Sequence, residues 1–292
     1  MKKLPAVFAA LAVAATTGVV ALPTASATPS RSSGSSLYLL ERNGTLSLRD
    51  AELPLLAEHR VKVRGLRHGD HLVGIDTRPA TKELYALGKS GQLYKVNGRT
   101  GQATAVGTPA AGAVGTAVGF DFNPTVDRIR VVTESGRNLR LHPDTGAVAA
   151  VDGGLAYAAG TSTPRVAAAA YTDSFAGATS TGLYGLDAGK DTLVTQGTLP
   201  GRTPAVSPNT GQLFTVGRLG LDISAVNGFD IAGRARTAGR YDARDYSAIA
   251  AVRTTGLRAG SKLVRVDLRT GRTFPVPALG LGDVVGLTFA AR

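Results

Sequence analysis

The sequence places its densest group of polar side chains in one short stretch, Gly-Phe-Asp-Phe-Asn-Pro-Thr-Val-Asp-Arg-Ile-Arg from Gly119 to Arg130. Asp121 and Asn123 are two residues apart in it and would share one side of a β-strand. Asp76 and Arg78 have the same spacing in a matching stretch earlier in the chain. Carboxylate and amide oxygens from several segments suit a Ca²⁺-like ion, which takes about six to eight oxygen ligands.

The predicted site extends to a third repeat, where Tyr171 and Asp173 are the expected counterparts. The candidate ligand- or ion-binding residues are therefore Asp76, Arg78, Asp121, Asn123, Tyr171 and Asp173. A Ca²⁺ ion is compatible with them, although no cofactor is required. An ion on the carboxylates of Asp76, Asp121 and Asp173 would also allow metal-assisted hydrolysis, for example of a lactone.

A structural interpretation of the same stretch is open as well. Asn123 followed by Pro124 is typical of a hairpin turn, because Asn accepts hydrogen bonds from nearby backbone donors and Pro restricts φ. Asp127, Arg128 and Arg130 would then form a polar cluster that joins neighbouring repeats. On this interpretation the cluster contributes stability and has no role in catalysis.

Other chemistries have little support in the sequence. There is no cysteine, no Gly-x-Ser-x-Gly motif and no phosphate-binding Gly-Lys-Ser/Thr signature. We therefore assign no catalytic residue. Arg60, Lys62 and Arg64 form a basic patch on one side of a predicted strand. This patch is either a solvated outer strand, where charge discourages edge pairing, or a docking surface for an acidic polymer.

The elements that must position these residues are short strands in repeats of about 40 residues, a period typical of β-propeller blades. The clearest repeat runs from Val73 to Gly107, and a second from Val118 to Asp152. Weaker copies begin near Val166, Pro204, Ser247 and Val285. The sequence thus predicts an all-β, six-bladed propeller of four-stranded antiparallel blades. A pair of β-sandwiches is the alternative.

The two ends of the folded region complete each other in this scheme. Val284 to Ala290 has no partner strand after it, and Leu37 to Leu40 has none before it. We expect the C-terminal strand to pair into the N-terminal blade, together with strands at Thr45 to Arg49 and His59 to Val63. This closes the ring without a crosslink, which suits a chain that lacks cysteine.

The N-terminus reads as a secretory signal peptide over residues 1–27. Lys2 and Lys3 precede an apolar run, and Ala25-Ser26-Ala27 forms a small-residue cleavage site. Retention of this segment as a membrane anchor is the alternative. Residues 28–36 are rich in Ser, Gly and Pro and should form a flexible leader, and residues 37–292 a single propeller domain. We expect secretion, with no membrane span after cleavage.

The formal net charge of the chain is +12, and it falls to +10 when Lys2 and Lys3 leave with the signal peptide. Such a basic surface should attract polyanionic cell-wall or extracellular polymers. The basic residues lack the aromatic interleaving of a single-strand binder, so we expect no specific nucleic-acid partner. The predicted function is that of a secreted, monomeric, non-enzymatic binding module at the envelope.

Several sequence segments in these repeats resemble those of an uncharacterised and mostly exported bacterial family, DUF4394. The matching segments are Gly74 to Thr81, Leu84 to Gly88, Gly91 to Tyr94, Gly119 to Pro124, Val126 to Val132, Asn138 to Arg140 and Asp191 to Gln196. Lys95 to Gly98 departs from the Thr-Ile-Asp-like strand end of that family. The resemblance implies export and a propeller-like fold, and it implies no activity.

Overall fold

The computed structural model describes residues 36–109, 112, 114–158, 162–237, 240–255 and 260–290. The predicted signal peptide and almost all of the predicted leader lie outside these residues. No helix in the described part is long and apolar enough to cross a membrane. The described strands form five separate sheets, each of which is one blade of a β-propeller.

The first three blades have four antiparallel strands each. Blade 1 contains β1 (Ser36–Glu41), β2 (Thr45–Asp50), β3 (Ala57–Lys62) and β21 (Val284–Phe289). Blade 2 contains β4 (Leu72–Thr77), β5 (Leu84–Gly88), β6 (Leu93–Val96) and β7 (Ala103–Val106). Blade 3 contains β8 (Val118–Asn123), β9 (Arg128–Thr133), β10 (Asn138–Leu141) and β11 (Val148–Val151).

The last two blades are formed by longer stretches of chain. Blade 4 contains β13 (Val166–Tyr171), β14 (Leu183–Asp187), β15 (Thr192–Gln196) and β16 (Gln212–Arg218), and the short β12 (Ala156–Tyr157) pairs in parallel with β16 as a fifth strand. Blade 5 contains β17 (Ile223–Gly233), β18 (Tyr246–Thr254), β19 (Ser261–Val266) and β20 (Thr273–Val276).

The prediction of six blades is wrong, and the error lies in the second half of the chain. Leu213 and Phe214 belong to the fourth strand of blade 4, and Ser247 lies in the second strand of blade 5. The assumed repeat starting at Pro204 is a loop between β15 and β16. Long loops separate the strands here, at 172–182, 197–211 and 234–245. A period measured on blades 2 and 3 therefore divides this region into too many units.

The prediction that the two ends meet in one sheet is confirmed. β21 pairs antiparallel with β1, with Leu37 opposite Phe289 and Tyr38 opposite Thr288. The five inner strands then contact each other in the ring order β21, β4, β8, β13, β17 and back to β21. Closure gives the first and last blades the same two-sided packing as the others, so no inner strand is left as an exposed edge.

The core lies between the blades rather than within any one of them. Side chains from blades 2 and 3, among them Tyr85 and Phe122, form one buried apolar cluster, and those two rings meet edge to face at 5.2 Å between centroids. Residues of blades 4 and 5 form another. Burial falls toward the outside of the ring, where β11 and β20 are largely exposed or half-buried. Each blade is therefore stable only when its neighbours cover both of its faces.

Candidate functional site

One position near the end of each inner strand faces the axis of the ring. Blades 2, 3 and 5 carry Asp76, Asp121 and Asp230 there. Each aspartate accepts a hydrogen bond from the inner strand of a neighbouring blade: Asp76 from Phe122 N at 2.7 Å, Asp121 from Tyr171 N at 3.0 Å, and Asp230 from Phe289 N at 2.6 Å. The aspartates therefore tie the blades together around the axis.

The same pattern identifies the residues at this position in blades 1 and 4. Thr288 accepts a hydrogen bond from Thr77 N at 3.2 Å and donates from Oγ1 to Asp76 at 2.8 Å. Phe122 N, which bonds to Asp76, belongs to the residue that follows Asp121 at the axis. Tyr171 N bonds to Asp121 in the same way, so the residue before it, Ala170, holds the axial position of blade 4. The five positions that face the axis thus carry three carboxylates, one hydroxyl and one methyl group.

The three carboxylates form a compact buried group, which we call the axial trio. Oxygens of Asp76, Asp121 and Asp230 lie within 4.8 Å of one another. Their residues are 6%, 2% and 4% exposed. Among the described residues, no basic side chain forms a salt bridge with any of the three. Three negative charges at this distance in a poorly hydrated site would be costly.

The pKa values of the axial trio are raised as a result. Burial raises the pKa of Asp76, and the charge of Asp230 raises it further. Burial raises the pKa of Asp121, with additional contributions from Asp76 and Asp230. Burial raises the pKa of Asp230 to about 6, although backbone donors at Phe289 and Ile231 oppose the shift. The trio could hold protons or a hard cation such as Ca²⁺, which prefers carboxylate oxygens.

The centre of the ring is too small for an organic molecule. The cavity lined by the inner strands of all five blades has a volume of about 10 Å³, which is roughly that needed by one water molecule. Glycine makes this close approach possible. A Cβ atom at Gly119 would lie 2.7 Å from Ala169 Cβ, and one at Gly74 would lie 2.7 Å from Phe120 Cβ.

The other predicted ligand residues of blades 2 and 3 point away from the axial trio. The guanidinium of Arg78 reaches into blade 3, where it bonds to Asp127 and to Asp144 Oδ1 at 2.6 Å. Asn123 Oδ1 accepts from Thr125 N at 2.9 Å and so stabilises the turn that follows β8.

The two residues expected from blade 4 also lie apart from the axial trio. The Tyr171 hydroxyl accepts from Arg130 Nε at 3.2 Å. Asp173 lies beyond the end of β13 with φ of 57°, and it accepts from Ala235 N and from the Tyr246 hydroxyl, both at 2.7 Å. Asp173 therefore links blades 4 and 5, and Asp230 is the third aspartate at the axis.

The polar cluster of blade 3 divides into two kinds of contact. Asp127 bonds to Arg78 of blade 2, and Arg130 bonds to Tyr171 and to Asn209 Oδ1 of blade 4, the latter at 2.7 Å. These contacts cross between blades. Arg128 instead donates to the carbonyl of Asp127 in its own turn, at 2.9 Å.

The basic patch on β3 and the residues after it is exposed, but two of its side chains are occupied by bonds inside the protein. Arg60 donates to Glu41 Oε1 and to the carbonyl of Gly280, both at 2.9 Å. Lys62 donates to the carbonyl of Asn43 at 2.9 Å. The backbone of Arg64 pairs with Gln102 of blade 2. These contacts hold blade 1 in place and leave fewer free cations than the sequence indicates.

A larger cavity, of about 310 Å³, lies between blades 4 and 5, and we call it the Arg-Tyr pocket. Its lining includes Phe175, Arg234, Arg240, Tyr241 and Tyr246. The rings of Tyr241 and Tyr246 are stacked, with centroids 5.4 Å apart. The guanidinium of Arg234 lies over the ring of Phe175 at 5.2 Å. The volume of the Arg-Tyr pocket is in the range of small-molecule binding sites.

The tyrosines of the Arg-Tyr pocket are fixed by hydrogen bonds. The hydroxyl of Tyr241 bonds to that of Tyr184, and Tyr246 donates to Asp173. Burial raises the pKa of Tyr241 to about 12 and also raises the pKa of Tyr184 and Tyr246. All three therefore stay neutral near pH 7. Tyr241 and Tyr246 form a rigid aromatic wall, which the buried Tyr184 supports from behind.

The charge of the pocket is positive, because Arg234, Arg236 and Arg240 line it together with a single carboxylate, Asp173. Asp245 is paired with Arg236 at 2.9 Å, and Asp242 with Arg244 at 2.7 Å. In the described part of the chain, no carboxylate forms a salt bridge with Arg202, Arg234 or Arg240. Arg202 lies close enough to lower the pKa of Tyr241, against the larger effect of burial. Free guanidinium groups beside an aromatic wall suit a ligand with carboxylate, sulfate or phosphate groups.

The sequence contained a signal for the third axial aspartate that the prediction missed. Gly228-Phe229-Asp230 repeats the Gly-Phe-Asp of Gly119 to Asp121, and it marks the inner strand of blade 5. The Arg-Tyr pocket had a weaker signal. Its arginines and tyrosines all lie between Arg234 and Tyr246 of blade 5, but they enclose a cavity only against residues of blade 4 such as Phe175. The pocket therefore follows only from the packing of blade 4 against blade 5.

Comparisons with known proteins identify the family of the chain. The family model described as "Domain of unknown function (DUF4394)" matches residues 45–288. No curated protein matches the sequence. A nidogen/laminin complex structure is similar at a TM-score of 0.45 and 13% identity, covering 88% of this chain and 99% of that chain. A structure of the dihydro-heme d1 dehydrogenase NirN in complex with DHE has a TM-score of 0.34 and 13% identity, covering 82% of this chain. The chain spans about half of NirN, 52%.

Proposed function

We propose that this chain, which belongs to the DUF4394 family, is an exported, non-catalytic β-propeller that binds an anionic polymer of the cell envelope or its surroundings. The observation that carries this proposal is the Arg-Tyr pocket. Arg234 and Arg240 line it, and neither forms a salt bridge with a carboxylate among the described residues, although the charge of Arg240 helps to lower the pKa of Asp242. A guanidinium that is not neutralised inside the protein is available to an anionic ligand.

Two further properties support a polymer as the ligand. The net charge, +10 once Lys2 and Lys3 leave with the signal peptide, attracts polyanions over the whole surface and increases the rate of encounter. The N-terminal signal-peptide pattern supports action outside the cytoplasm, where charged wall polymers and acidic polysaccharides are found. The aromatic wall of the pocket adds apolar contact for the ligand, so the site is more than a basic surface.

The alternative function, metal-assisted hydrolysis at the axial carboxylates, has less support from the geometry. A catalytic metal needs an open coordination position that a substrate can reach. The residues of the axial trio are 2% to 6% exposed, and the nearby cavity at the axis has a volume of about 10 Å³, which leaves no room for a substrate. A cation held there would stabilise the ring from within. Addition of Ca²⁺ to wild type and to Asp121→Asn tests this, because a rise in melting temperature confined to wild type would indicate such an ion.

The proposed function is tested with residues 28–292 and polygalacturonate as a carboxylate polymer, inorganic polyphosphate as a phosphate polymer and dextran as an uncharged control. We expect binding to at least one anionic polymer, no binding to dextran, and an affinity that falls as salt rises. Arg234→Ala/Arg240→Ala should weaken binding at least tenfold.

The matched control is Arg99→Ala/Arg218→Ala, which removes the same charge from exposed sites that do not line the pocket. If both double variants lost affinity equally, binding would reflect net charge alone and the pocket would have no specific role. If no anionic polymer bound at low salt, the proposed function would be wrong.

A further inference from the structure

A second cavity, of about 560 Å³, adjoins the Arg-Tyr pocket, and we call it the amide groove. The two cavities share Thr179, Ser180 and Pro200 in their linings. The amide groove continues from there toward blade 3, where it reaches Asn123 and Val126. The two cavities are therefore neighbours along one surface that crosses blade 4, and one extended molecule could occupy both.

The lining of the amide groove differs in character from that of the Arg-Tyr pocket. It contains no aspartate or glutamate, and its charged residues are Arg140 and Arg202. Arg140 is already paired with Asp152, at 2.8 Å. The remaining polar side chains are amides and hydroxyls: Asn123, Thr125, Tyr171, Thr179, Ser180, Thr181, Thr198, Ser207 and Asn209. Most of this surface is thus uncharged and rich in hydrogen-bonding groups.

Two amide side chains of the groove use their oxygen atom in a hydrogen bond within the protein and keep their nitrogen atom open. The Oδ1 atom of Asn209 accepts from Arg130, and the Oδ1 atom of Asn123 accepts from Thr125. These contacts fix both amides in orientation, and no group in the described part of the chain bonds to their Nδ2 hydrogens, which are open to a ligand. Val126 is 52% exposed beside them. Oriented amide donors next to a small exposed apolar surface are suited to the hydroxyl groups and the C–H faces of a sugar.

We propose that the ligand of the joined cavities is an acidic polysaccharide in which charged and uncharged sugar units alternate. An acidic unit would lie in the Arg-Tyr pocket, and uncharged units further along the polymer, beyond the span of one disaccharide, would lie in the amide groove. This inference rests on the proposed function and specifies its ligand. A polymer with phosphate on every unit fits less well, because the second cavity offers it only Arg202 as an unpaired cation among the described residues.

The probes are hyaluronan fragments of two, four and six sugars, in which glucuronate alternates with N-acetylglucosamine. Oligogalacturonates of equal length, charged on every unit, and inorganic polyphosphate serve for comparison. We expect affinity for hyaluronan fragments to rise at least tenfold from the disaccharide to the hexasaccharide, since only longer fragments occupy both cavities. At equal charge, hyaluronan should bind more tightly than either comparison polymer.

The key variant is Val126→Asp, which places a negative charge in the amide groove at an exposed position of a turn. It should weaken binding of the hexasaccharide at least tenfold and leave binding of the disaccharide unchanged. The control is Val151→Asp, because Val151 is 76% exposed and lies outside both cavities. Melting curves of both variants establish that the fold is retained.

The outcomes separate the two levels of the proposal. If hyaluronan bound with no dependence on length and with no effect of Val126→Asp, the amide groove would have no role and the inference would be overturned while the Arg-Tyr pocket stood. Tighter binding of polyphosphate than of hyaluronan would also overturn it. If no anionic polymer bound at all, both the inference and the proposed function would fail together.

Discussion

Arg78 of blade 2 holds Asp127 of blade 3 through two parallel hydrogen bonds, from Nε to Oδ1 at 2.9 Å and from Nη2 to Oδ2 at 2.5 Å. The same guanidinium also bonds to Asp144 at 2.6 Å. Asp127 adopts φ of 50°, a left-handed conformation in which Asp is tolerated better than most residues. One arginine thus fixes two turns of the next blade.

We expect Arg78→Ala to lower the free energy of unfolding by about 2 kcal/mol. The arginine side chain is only 9% exposed, but the two carboxylates are 35% and 54% exposed and regain water when the pair is lost. Arg78→Lys should give a smaller loss, since it keeps the charge without the two-pronged geometry. Urea denaturation measures both.

Arg128→Ala is the control for this first prediction. Arg128 donates to carbonyls of its own turn and makes no contact across blades in the structure as described. Its removal should cost less than about 0.5 kcal/mol. Equal destabilisation by Arg78→Ala and Arg128→Ala would show that the cross-blade pair does not stabilise the ring.

The axial trio should make the protein less stable as pH rises. The folded-state pKa values of Asp76, Asp121 and Asp230 lie above their unfolded values, so the folded protein binds more protons at intermediate pH. This contribution is complete below about pH 4 and is lost as pH passes through the raised values, which for Asp230 is about 6. Thermal unfolding between pH 4 and 8 tests this.

Asp121→Asn should remove part of that dependence. The amide has the shape of the acid and carries no charge. We therefore expect the difference in unfolding free energy between Asp121→Asn and wild type to shift in favour of the variant as the pH rises from 4 to 8. Asp222→Asn, at an exposed aspartate, is the control. Parallel stability profiles for wild type and Asp121→Asn would contradict a role for the axial charges.

The close approach of the inner strands predicts a penalty for a single methyl group. In Gly119→Ala, the new Cβ would lie 2.7 Å from Ala169 Cβ and 2.7 Å from Val132 Cγ2. We expect a loss of about 2 kcal/mol or more, because blades 3 and 4 would have to shift apart. Gly154→Ala is the matched control, since its Cβ meets nothing nearer than 3.6 Å. A neutral Gly119→Ala would mean that the axis is looser than described.

Thr288 tests the hydrogen bonds that close the ring. Thr288→Val keeps the shape but removes the hydroxyl that donates to Asp76 and accepts from Thr77 N. We expect a loss of about 1–2 kcal/mol, because a buried carboxylate then loses a donor. Thr288→Ser retains the hydroxyl and should lose less. The idea fails if Ser proves as destabilising as Val in chemical denaturation.

Local features of the sequence were sufficient for much of the fold. Turn residues such as Asn97-Gly98 and Asn123-Pro124 separate strands that the structure contains at nearly the predicted bounds. The pairing of the last strand with the first could also be predicted, because each lacked a partner in its own part of the chain. Both inferences rely on interactions between residues that are close in sequence or on the need of every strand edge for a partner.

The blade count and the third axial aspartate could not be derived in the same way. Asp173 matched the expected position by spacing, but the loop after β13 carries it to Tyr246 and Ala235 of blade 5. Asp230 reaches the axis because β17 is an inner strand, which depends on how the long loops of blades 4 and 5 are accommodated. Spacing in sequence is unreliable where loop lengths vary between repeats.

The sequence by itself determined that the chain is all-β and that its units are meanders, because strand alternation and turn chemistry are short-range properties. It also determined that its ends meet, because each terminal strand lacked a partner in its own part of the chain. Tertiary structure decided that five blades close the ring and that Asp76, Asp121 and Asp230 share its centre. The angle between neighbouring blades depends on how tightly glycine and alanine let their inner strands pack, and that distance is set across the ring and not along the chain.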